Sequence, residues 1–286
     1  MPTQPADAAS LIAFQGAPGA YSDLACRHVF PDRETLPCTQ FEDAFAAVRE
    51  GRAALGMIPI ENSVAGRVAD IHHLMPDSGL YIIGEHFEPV HHHLLALPGA
   101  TLASIKLVRS HVHALGQCRN FIRQNKLAAE VAVDTAGAAA ELAASRDPSV
   151  AAIASELAGR IYGLTSLARN IEDAAHNTTR FLIMSPEAKW APQGAPTVTT
   201  FVFNVRNVPA ALYKALGGFA TNTVNMTKLE SYMVGGNFTA TQFYADVEAH
   251  PDDRKLQLAL EELRFFSHEV KILGVYPAAP ERADTA

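Results

Sequence analysis

The sequence predicts an α/β protein in two parts, and three observations support this class. Strand-like and helix-like segments alternate from residue 11 to about residue 185, which is typical of an α/β fold with largely parallel sheets. Residues 188–197 contain prolines and a glycine and have the composition of a linker. After it, residues 198–278 follow the order βαββαβ, which is that of a ferredoxin-like domain.

The composition indicates a folded protein and disfavours several functional classes. The 286 residues are 48% apolar and 19% charged, an ordinary globular mixture. The net charge of -7 disfavours binding to nucleic acid or to an anionic membrane, since both need a basic surface. The N-terminal residues lack the basic and apolar segments of a signal peptide, and no stretch approaches the ~18 apolar residues of a membrane span. We therefore expect a cytoplasmic protein.

Local signals define the elements of the first part. Residues 11–16 indicate a short strand, and Ser22 can cap the helix after it. Thr39 and Glu42 fit a capping box for a second helix, which Gly51 can end. Residues 55–60 form a buried strand that we expect to break into a loop at 61–63. Further strands are expected at 105–109, 130–133, 149–154 and 181–184, with helices from Ala114, Thr135 and Ser155.

The second part has a different order of helices and strands. We expect strands at 199–205, 224–234, 238–247 and 269–275, with helices at 209–219 and from a cap at Asp252 to about residue 265. Gly235-Gly236-Asn237 supplies hairpin turn chemistry between the second and third strands. The tail at 279–286 is rich in alanine, and we expect it to fray.

The segment Asn177-Thr178-Thr179-Arg180-Phe181 places two hydroxyls and a guanidinium where a polar loop becomes an apolar strand. Arg180 can hold a carboxylate through two hydrogen bonds, and a threonine hydroxyl can donate to a leaving oxygen. The alternative is structural, because threonine favours strands and Arg180 can pair with a surface acid.

Two further polar clusters follow predicted strands. Glu61, Asn62 and Ser63 can orient a ligand with amide and hydroxyl groups, although Asx and serine turns give the same pattern without function. Ser110 precedes His111, with Gln117 one turn into the next helix. Adjacent residues on a strand point to opposite faces, so we interpret Ser110 as a capping or ligand-binding residue rather than a nucleophile.

Neither the cysteines nor the histidines indicate a metal site. The three cysteines are widely spaced and odd in number, so we expect small buried apolar residues. Histidines concentrate at residues 72–73, at residue 86 and at 91–93. Three consecutive histidines on an extended segment cannot all face one ion, and we expect partly exposed strand histidines without a metal.

Together these clusters resemble the prephenate dehydratase family. The segments IAFQGAPGAYSDLAC, MIPIENSVAG, AAIASELAGRIYGL and IEDAAHNTTRF occur in the order seen in that family, and the Asn-x-Thr-Arg-Phe element is the most diagnostic. The later segments VPAALYKALGGF and NMTKLES resemble the family's ACT regulatory domain. The resemblance covers about residues 11–276.

The resemblance implies a two-lobed dehydratase domain at residues 1–187, similar to type 2 periplasmic-binding-protein folds. It implies that prephenate loses carbon dioxide and its ring hydroxyl to give phenylpyruvate in phenylalanine biosynthesis, without cofactor or metal. By the family's pattern Thr179 is the essential residue, and Asn62, Ser110 and Gln117 fall at substrate positions. The remaining members of the expected substrate-binding set are Glu61, Ser63, Thr178 and Arg180.

The resemblance also implies an ACT domain at residues 198–278 that binds phenylalanine. The family's Gly-Ala-Leu is Ala210-Ala211-Leu212 here, and its Glu-Ser-Arg-Pro is Glu230-Ser231-Tyr232-Met233, which lacks the arginine. These motifs form a phenylalanine site at an ACT dimer interface in family members. We therefore expect feedback inhibition by L-phenylalanine and a homodimer or homotetramer. The expected effector-binding residues are Ala211, Leu212, Asn225, Glu230 and Ser231.

Two alternatives remain open at this point. Arogenate dehydratase is the nearest variant, since arogenate carries an amino group in place of the side-chain keto group of prephenate. A non-catalytic small-molecule sensor is the other, because both expected folds bind ligands elsewhere and fold alone does not decide function. The Asn-x-Thr-Arg-Phe element disfavours the sensor, because a binder needs no threonine beside a leaving group.

Overall fold

Two units of tertiary structure divide the chain. The computed structural model describes residues 8–206, 208–233 and 240–285. The first unit consists of the chain up to Val68 together with His86–Phe181, and the second consists of Ala69–Glu85 and the chain from Leu182 onward. The assignment of a dehydratase domain to 1–187 and an ACT domain to 198–278 stays a prediction.

The first unit contains two sheets. One has the strand order β11-β3-β1-β2, with β4 paired to β3, and the other has the order β10-β6-β9-β7-β8. The pairs β1-β2, β1-β3, β7-β8 and β7-β9 are parallel, while β6 pairs antiparallel with β9 and β10. The strands are β1 Leu11–Gln15, β2 Glu34–Cys38, β3 Leu55–Asn62, β4 Gly66–Arg67, β5 Tyr81–Pro89, β6 His93–Ala96, β7 Leu107–Ser110, β8 Ala128–Val131, β9 Val150–Ala154, β10 Thr165–Ala168 and β11 Thr178–Ser185. Strands β5 and β11 each continue into the second unit.

Helices connect these strands, as the α/β prediction requires. In chain order they are α1 Tyr21–Val29, α2 Phe41–Arg49, α4 Val112–Gln117, α5 Arg119–Gln124, α6 Thr135–Ser145 and α7 Glu156–Ile161, while α3 Ala69–Leu74 belongs to the second unit. Asp134 and Ser155 cap α6 and α7 through their side chains. The helix start predicted at Thr135 is therefore confirmed, and the helix expected from Ser155 begins one residue later, with Ser155 as its N-cap.

Three local predictions in this unit are wrong. Ser22 lies inside α1, whose N-cap is Ala20, so the serine does not cap the helix. The second helix begins one residue later than a capping box with Thr39 as N-cap requires. Its N-cap is Gln40, and Asp43 accepts a hydrogen bond from the Gln40 backbone N at 3.3 Å. Strand β3 continues through Glu61 and Asn62 because both pair with β4. The chain leaves the sheet only at Ser63.

The second unit contains the predicted βαββαβ order. Its elements are β12 Thr197–Val205, α8 Ala211–Thr221, β13 Met226–Met233, β14 Ala240–Val247, α9 Arg254–Phe266 and β15 Ser267–Pro277. The strand order is β13-β14-β12-β15, with antiparallel pairing throughout, which is the ferredoxin-like arrangement. Helices α8 and α9 cover the sheet over an apolar core that includes Phe201, Phe219 and Leu260. The cap of α9 is Asp253 rather than Asp252.

The C-terminal tail departs from its prediction. Pro280–Thr285 forms a 3₁₀ helix, and the Arg282 guanidinium donates two hydrogen bonds to the buried Glu85 carboxylate, at 2.6 and 2.9 Å. The expectation that this tail frays is therefore wrong, because a bidentate ion pair holds it. The hairpin turn predicted at Gly235-Gly236-Asn237 lies outside the described residues.

All three cysteines, Cys26, Cys38 and Cys118, are free and buried, which confirms their prediction. Within the described ranges, no helix has the length and apolar character that a membrane crossing needs. The cytoplasmic location stays a prediction.

Candidate active site

Thr179 and Asn62 lie on neighbouring strands of the first sheet, near the start of β11 and at the end of β3. The Asn62 Nδ2 amide donates to Thr179 Oγ1 at 2.9 Å. The backbone extends this pairing, since Ser63 N donates to Thr178 O and Thr178 N donates to Ser63 Oγ, both at 2.9 Å. The sheet therefore fixes the predicted catalytic threonine and its amide partner.

The orientation of the Asn62 side-chain amide, with its oxygen on one side and its nitrogen on the other, follows from its contacts with backbone groups. Its Oδ1 atom accepts from Val64 N at 2.9 Å and from Ala65 N at 2.7 Å. A backbone N–H can only donate, so the oxygen must face these groups and Nδ2 must face Thr179. Because Thr179 Oγ1 accepts from Asn62, the hydroxyl proton of Thr179 can be donated elsewhere. Among the described residues, the structure shows one hydrogen bond to Thr179 Oγ1, and it is this bond from Asn62.

A chain of side-chain amides links this pair to the second sheet. Asn62 Nδ2 also donates to Asn177 Oδ1 at 2.8 Å, and Asn177 Nδ2 donates to Gln117 Oε1 at 3.0 Å. Gln117 is the last residue of α4, which follows β7. Its Nε2 atom reaches Asn62 Oδ1 only at 3.4 Å, a weak hydrogen bond that leaves this amide available to a ligand.

His92 continues this chain and its protonation state is determined by its neighbours. Its Nε2 atom lies 2.7 Å from Gln117 Oε1, which is an acceptor, so Nε2 carries the proton. The Nδ1 atom lies 2.8 Å from the Tyr21 hydroxyl. The His92 side chain is buried, and burial lowers its pKa below the usual value although the Gln117 hydrogen bond opposes this. Burial thus favours the neutral form of His92, in which Nδ1 and the His91 carbonyl oxygen share the single Tyr21 hydroxyl proton.

Tyr21 is positioned by the turn that begins α1. Its hydroxyl also donates to the His91 carbonyl oxygen at 2.7 Å, and burial raises the pKa of Tyr21 well above its usual value. Two residues earlier, Gly19 has a φ of +90°, and a Cβ placed there would lie 2.7 Å from the Ala158 Cα. Only glycine permits both the left-handed backbone and this close approach, so Gly19 sets the entry of the chain into α1.

Glu172 anchors the segment that carries His92. Its carboxylate accepts from the His92 backbone N at 2.9 Å and contacts His91 Nδ1 at 2.8 Å. Burial alone would raise the pKa of Glu172, but these two hydrogen bonds lower it below the usual range. Glu172 is therefore an ionised acceptor that holds the backbone of residues 91–92.

The other predicted substrate-binding residues occupy different environments. Arg180 is buried and its guanidinium donates to Glu61 Oε1 at 2.9 Å. Because successive strand residues point to opposite faces, Arg180 and Thr178 lie on the other face of β11 from Thr179. Ser63 Oγ donates to the His176 carbonyl oxygen at 2.6 Å. Ser110 is fully buried and donates to the Ile153 carbonyl oxygen at 2.6 Å, outside the chain of amides.

The structure thus brings together Asn62, Gln117 and Thr179 from the predicted set. It joins to them Tyr21, His92 and Asn177, which the predicted set lacks, and no sequence pattern connects Tyr21 to His92 across 71 residues. Asn177 is the first residue of the Asn-x-Thr-Arg-Phe element, so its place in that element is the sequence signal that could have identified it as a site residue. The description of the histidines as partly exposed strand residues is wrong for His72 and His73, which lie in helix α3, and for His92 and His93, which are buried at the start of β6.

The predicted effector residues all lie in the second unit. Ala211 and Leu212 begin α8, and Asn225 precedes β13 and donates to Glu248 at 2.8 Å. Glu230 pairs with Lys228 at 3.3 Å, and Ser231 is exposed on the same strand. Strand β13 stands at the end of the strand order of this sheet. Their role as a phenylalanine site stays a prediction.

A sequence model of the prephenate dehydratase family matches residues 12–189, well over half of the chain. The chain belongs to the prephenate dehydratase family. The match contains every residue of the amide chain around Thr179. Members of this family are lyases of phenylalanine biosynthesis, so the predicted family and enzyme class are confirmed.

Individual prephenate dehydratase relatives match over nearly the whole chain. A bifunctional N-acyl-homoserine lactone acylase/prephenate dehydratase from Komagataeibacter europaeus is 54% identical over 273 residues, which are 95% of this chain and 97% of that protein. Arogenate dehydratase/prephenate dehydratase 1 of Arabidopsis thaliana is 40% identical over 93% of this chain and 71% of its own length. A crystal structure of an Arthrobacter aurescens prephenate dehydratase in complex with L-Phe is 32% identical, with a TM-score of 0.86 over 94% of this chain and 90% of that one.

Proposed function

We propose that the chain converts prephenate to phenylpyruvate, and one observation carries the proposal. Asn62 occupies one side of the Thr179 hydroxyl as a donor, so the threonine proton is left to be donated to a ligand. Dehydration needs such a donor at the departing hydroxyl, because hydroxide is a poor leaving group. Family membership supports the same reaction.

The chemistry balances without a redox partner. The ring carboxylate of prephenate leaves as carbon dioxide, and the electron pair of the broken C–C bond enters the ring. The C–O bond at the opposite ring carbon then breaks, and the departing hydroxide takes a proton to become water. A threonine hydroxyl is a weak acid, so Thr179 acts by donating a hydrogen bond to the departing oxygen or by relaying a solvent proton, while aromatisation drives the step.

The test compares two substitutions at Thr179. Thr179→Val keeps the shape and removes the donor, and we expect kcat for phenylpyruvate formation to fall about 10²- to 10³-fold with a smaller change in KM. Thr179→Ser retains a hydroxyl and should keep kcat within about tenfold of the wild type. Near-normal kcat in Thr179→Val would rule out this role.

Substrate preference is tested in the same assay. Arogenate differs from prephenate only in the side chain, which is attached to the ring carbon opposite the departing hydroxyl, so both substrates suit the proposed chemistry. We propose prephenate as the first substrate, and turnover of arogenate alone would keep the site and change the substrate. Turnover of neither by folded protein would favour a small-molecule sensor.

A second candidate activity comes from the relative of Komagataeibacter europaeus. That protein is described as an N-acyl-homoserine lactone acylase as well as a prephenate dehydratase, and its 54% identity extends over 97% of its length. We propose acyl-homoserine lactone hydrolysis as an additional activity to be tested. Release of free homoserine lactone by purified protein, and none by heat-inactivated protein, would support it. No release would leave the dehydratase as the sole proposed activity.

We also propose that L-phenylalanine inhibits the enzyme through the ACT domain. The Arthrobacter aurescens relative was crystallised with L-Phe, and Leu212 and Ser231 occupy the motif positions of the effector site. Strand β13 has an edge position, which suits pairing with a second chain in a homodimer or homotetramer. Calorimetry with phenylalanine, inhibition kinetics and light scattering test binding, inhibition and oligomer size separately. Absence of heat together with unchanged activity would end the inhibition proposal.

A further inference from the structure

A compact set of metal-ligating side chains lies on the first unit apart from the chain of amides around Thr179. Glu88 Oε2 is 2.8 Å from His28 Nδ1 and 2.9 Å from His86 Nε2. The three donor atoms all lie within 4.8 Å of one another. Two imidazoles and one carboxylate therefore converge on one point.

The residue types and spacings suit a transition-metal ion. Zinc binds imidazole nitrogen and carboxylate oxygen at about 2.0–2.2 Å, so tetrahedral ligands stand about 3.4 Å apart. The two nitrogen–oxygen separations need to open by about 0.5 Å to reach that geometry. Two histidines with one carboxylate are also the protein ligands of open zinc sites, which retain a position for water.

The backbone holds these ligands in place before any ion binds. His86 and Glu88 are two residues apart on β5, so their side chains leave the same face of the strand. His28 lies in the last turn of α1, where the negative end of the helix dipole favours a cation. The Glu88 side chain is only 3% exposed, while that of His28 is 55% exposed. The Glu88 carboxyl group thus lies at the buried base of the cluster, and His28 lies at its solvent-exposed edge.

We propose that His28, His86 and Glu88 bind one zinc-type divalent cation. On binding, each ring directs a nitrogen lone pair at the ion and carries its proton on the other nitrogen, so both histidines act as neutral ligands. The two hydrogen bonds to Glu88 are exchanged for three bonds to the metal. The ion compensates the buried carboxylate and joins the end of α1 to β5, with its remaining position open to water.

Cobalt(II) is the probe that tests this proposal, because a tetrahedral cobalt site gives visible d–d absorption. Untagged full-length protein is treated with EDTA, freed of chelator and titrated with Co²⁺, followed by displacement with Zn²⁺. We expect one equivalent to bind with intense visible absorption and zinc to displace it. The readout is metal binding itself, so it is independent of the proposed dehydratase activity.

Three variants make the outcome specific. His28→Ala and Glu88→Gln each remove a ligand and should weaken cobalt binding at least tenfold, while the exposed His113→Ala should match the wild type. His28 is half exposed, so its replacement leaves a folded protein even if Glu88→Gln unfolds, which circular dichroism checks. No saturable cobalt binding by the wild type, or equal affinity in His28→Ala, would overturn the proposal.

Discussion

The amide of Asn62 donates to Thr179 Oγ1 at 2.9 Å and cannot be reversed, because the Asn62 oxygen accepts from two backbone N–H groups. The direction of this bond determines what the threonine can do. A hydroxyl has one proton, and here that proton is not used by the amide. The turn after β3 therefore leaves Thr179 as a donor toward a ligand by fixing the Asn62 amide.

Asn62→Asp should remove this arrangement while keeping the size of the side chain. An aspartate still accepts from Val64 N and Ala65 N, but it has no N–H for Thr179 and instead accepts the threonine proton. We expect kcat on prephenate to fall about 10²-fold or more. Steady-state kinetics of phenylpyruvate formation measures it.

Two controls separate charge from hydrogen bonding in this experiment. The added carboxylate of Asn62→Asp also repels a dianionic substrate and should raise KM, whereas the neutral Asn62→Ala should lower kcat with a smaller change in KM. Asn125→Asp makes the same chemical change at a helix end, where the Asn125 amide donates to the Phe121 carbonyl oxygen. It should leave both constants near the wild-type values. An unaltered kcat in Asn62→Asp would contradict the assigned bond direction.

The buried His92 predicts a dependence of stability on pH. Burial lowers its pKa in the folded protein, whereas the unfolded chain titrates near the ordinary value of about 6.5. Below that value the unfolded state binds more protons, so the free energy of unfolding falls as the pH drops from about 6.5 toward the folded pKa. Above about pH 7 this contribution is fully present.

His92→Gln isolates that contribution, because glutamine does not titrate. Denaturant unfolding at pH 7.5 and at pH 5.5 should show a smaller loss of stability in the variant than in the wild type. His93 and His111 also have lowered pKa values because of burial, so a residual dependence on pH is expected in both proteins. Identical losses in the two proteins would show that His92 titrates alike in the folded and unfolded states.

The sequence predicts those parts of the site that are local in the chain. Asn62 and Thr179 each lie beside an apolar strand, and the carboxyl end of one strand meets the start of its neighbour in the sheet. The residue pattern therefore made both of them candidates, and the resemblance to prephenate dehydratases implied their roles. The ferredoxin-like order of the second unit was equally accessible, because hydrophobic periodicity and turn residues define each of its elements.

The rest of the site depends on contacts that leave no local signal. Tyr21 meets His92 because the Gly19 turn and Glu172 position their backbones, and neither residue follows a pattern that points to the other. Ser22 failed as a cap because the chain enters α1 two residues earlier, at Ala20. Arg282 in the tail is held by Glu85, 197 residues away. Such long-range pairs are determined by packing rather than by sequence propensity.

Replacement of Ala210 by glycine should stabilise the folded protein. The φ of Ala210 is +62° at the residue before α8, a left-handed conformation that costs a non-glycine residue about 1–2 kcal/mol. Ala210→Gly should raise the free energy of unfolding by about 0.5–1 kcal/mol, after the greater freedom of glycine in the unfolded chain is subtracted. Thermal unfolding without phenylalanine measures it. The neighbouring Ala211→Gly lies within the helix and should lower stability instead, and a fall in both variants would contradict the strain at Ala210.

The ion pair between Arg282 and Glu85 should contribute strongly to the stability of the fold, because the Glu85 carboxylate is buried. The Glu85 carboxylate has no exposed side-chain surface, and Arg282 contacts it at 2.6 and 2.9 Å. Arg282→Gln removes a positive charge that contacts this carboxylate and also lies 3.8 Å from the buried Asp246 carboxylate. Breaking a buried pair by removing one partner costs about 3–5 kcal/mol.

The matched control is Arg52→Gln, which breaks an ion pair with Glu50 at 3.1 Å in which both side chains are about half exposed. A pair in solvent contributes about 0–1 kcal/mol, so denaturant unfolding should separate the two variants by about 2 kcal/mol or more. Because part of the Arg282 loss arises from removing a cation beside the buried Glu85 carboxylate, Glu85→Gln combined with Arg282→Gln should recover that part. Equal, small losses in both single variants would mean that solvent or another cation compensates Glu85 when Arg282 is gone.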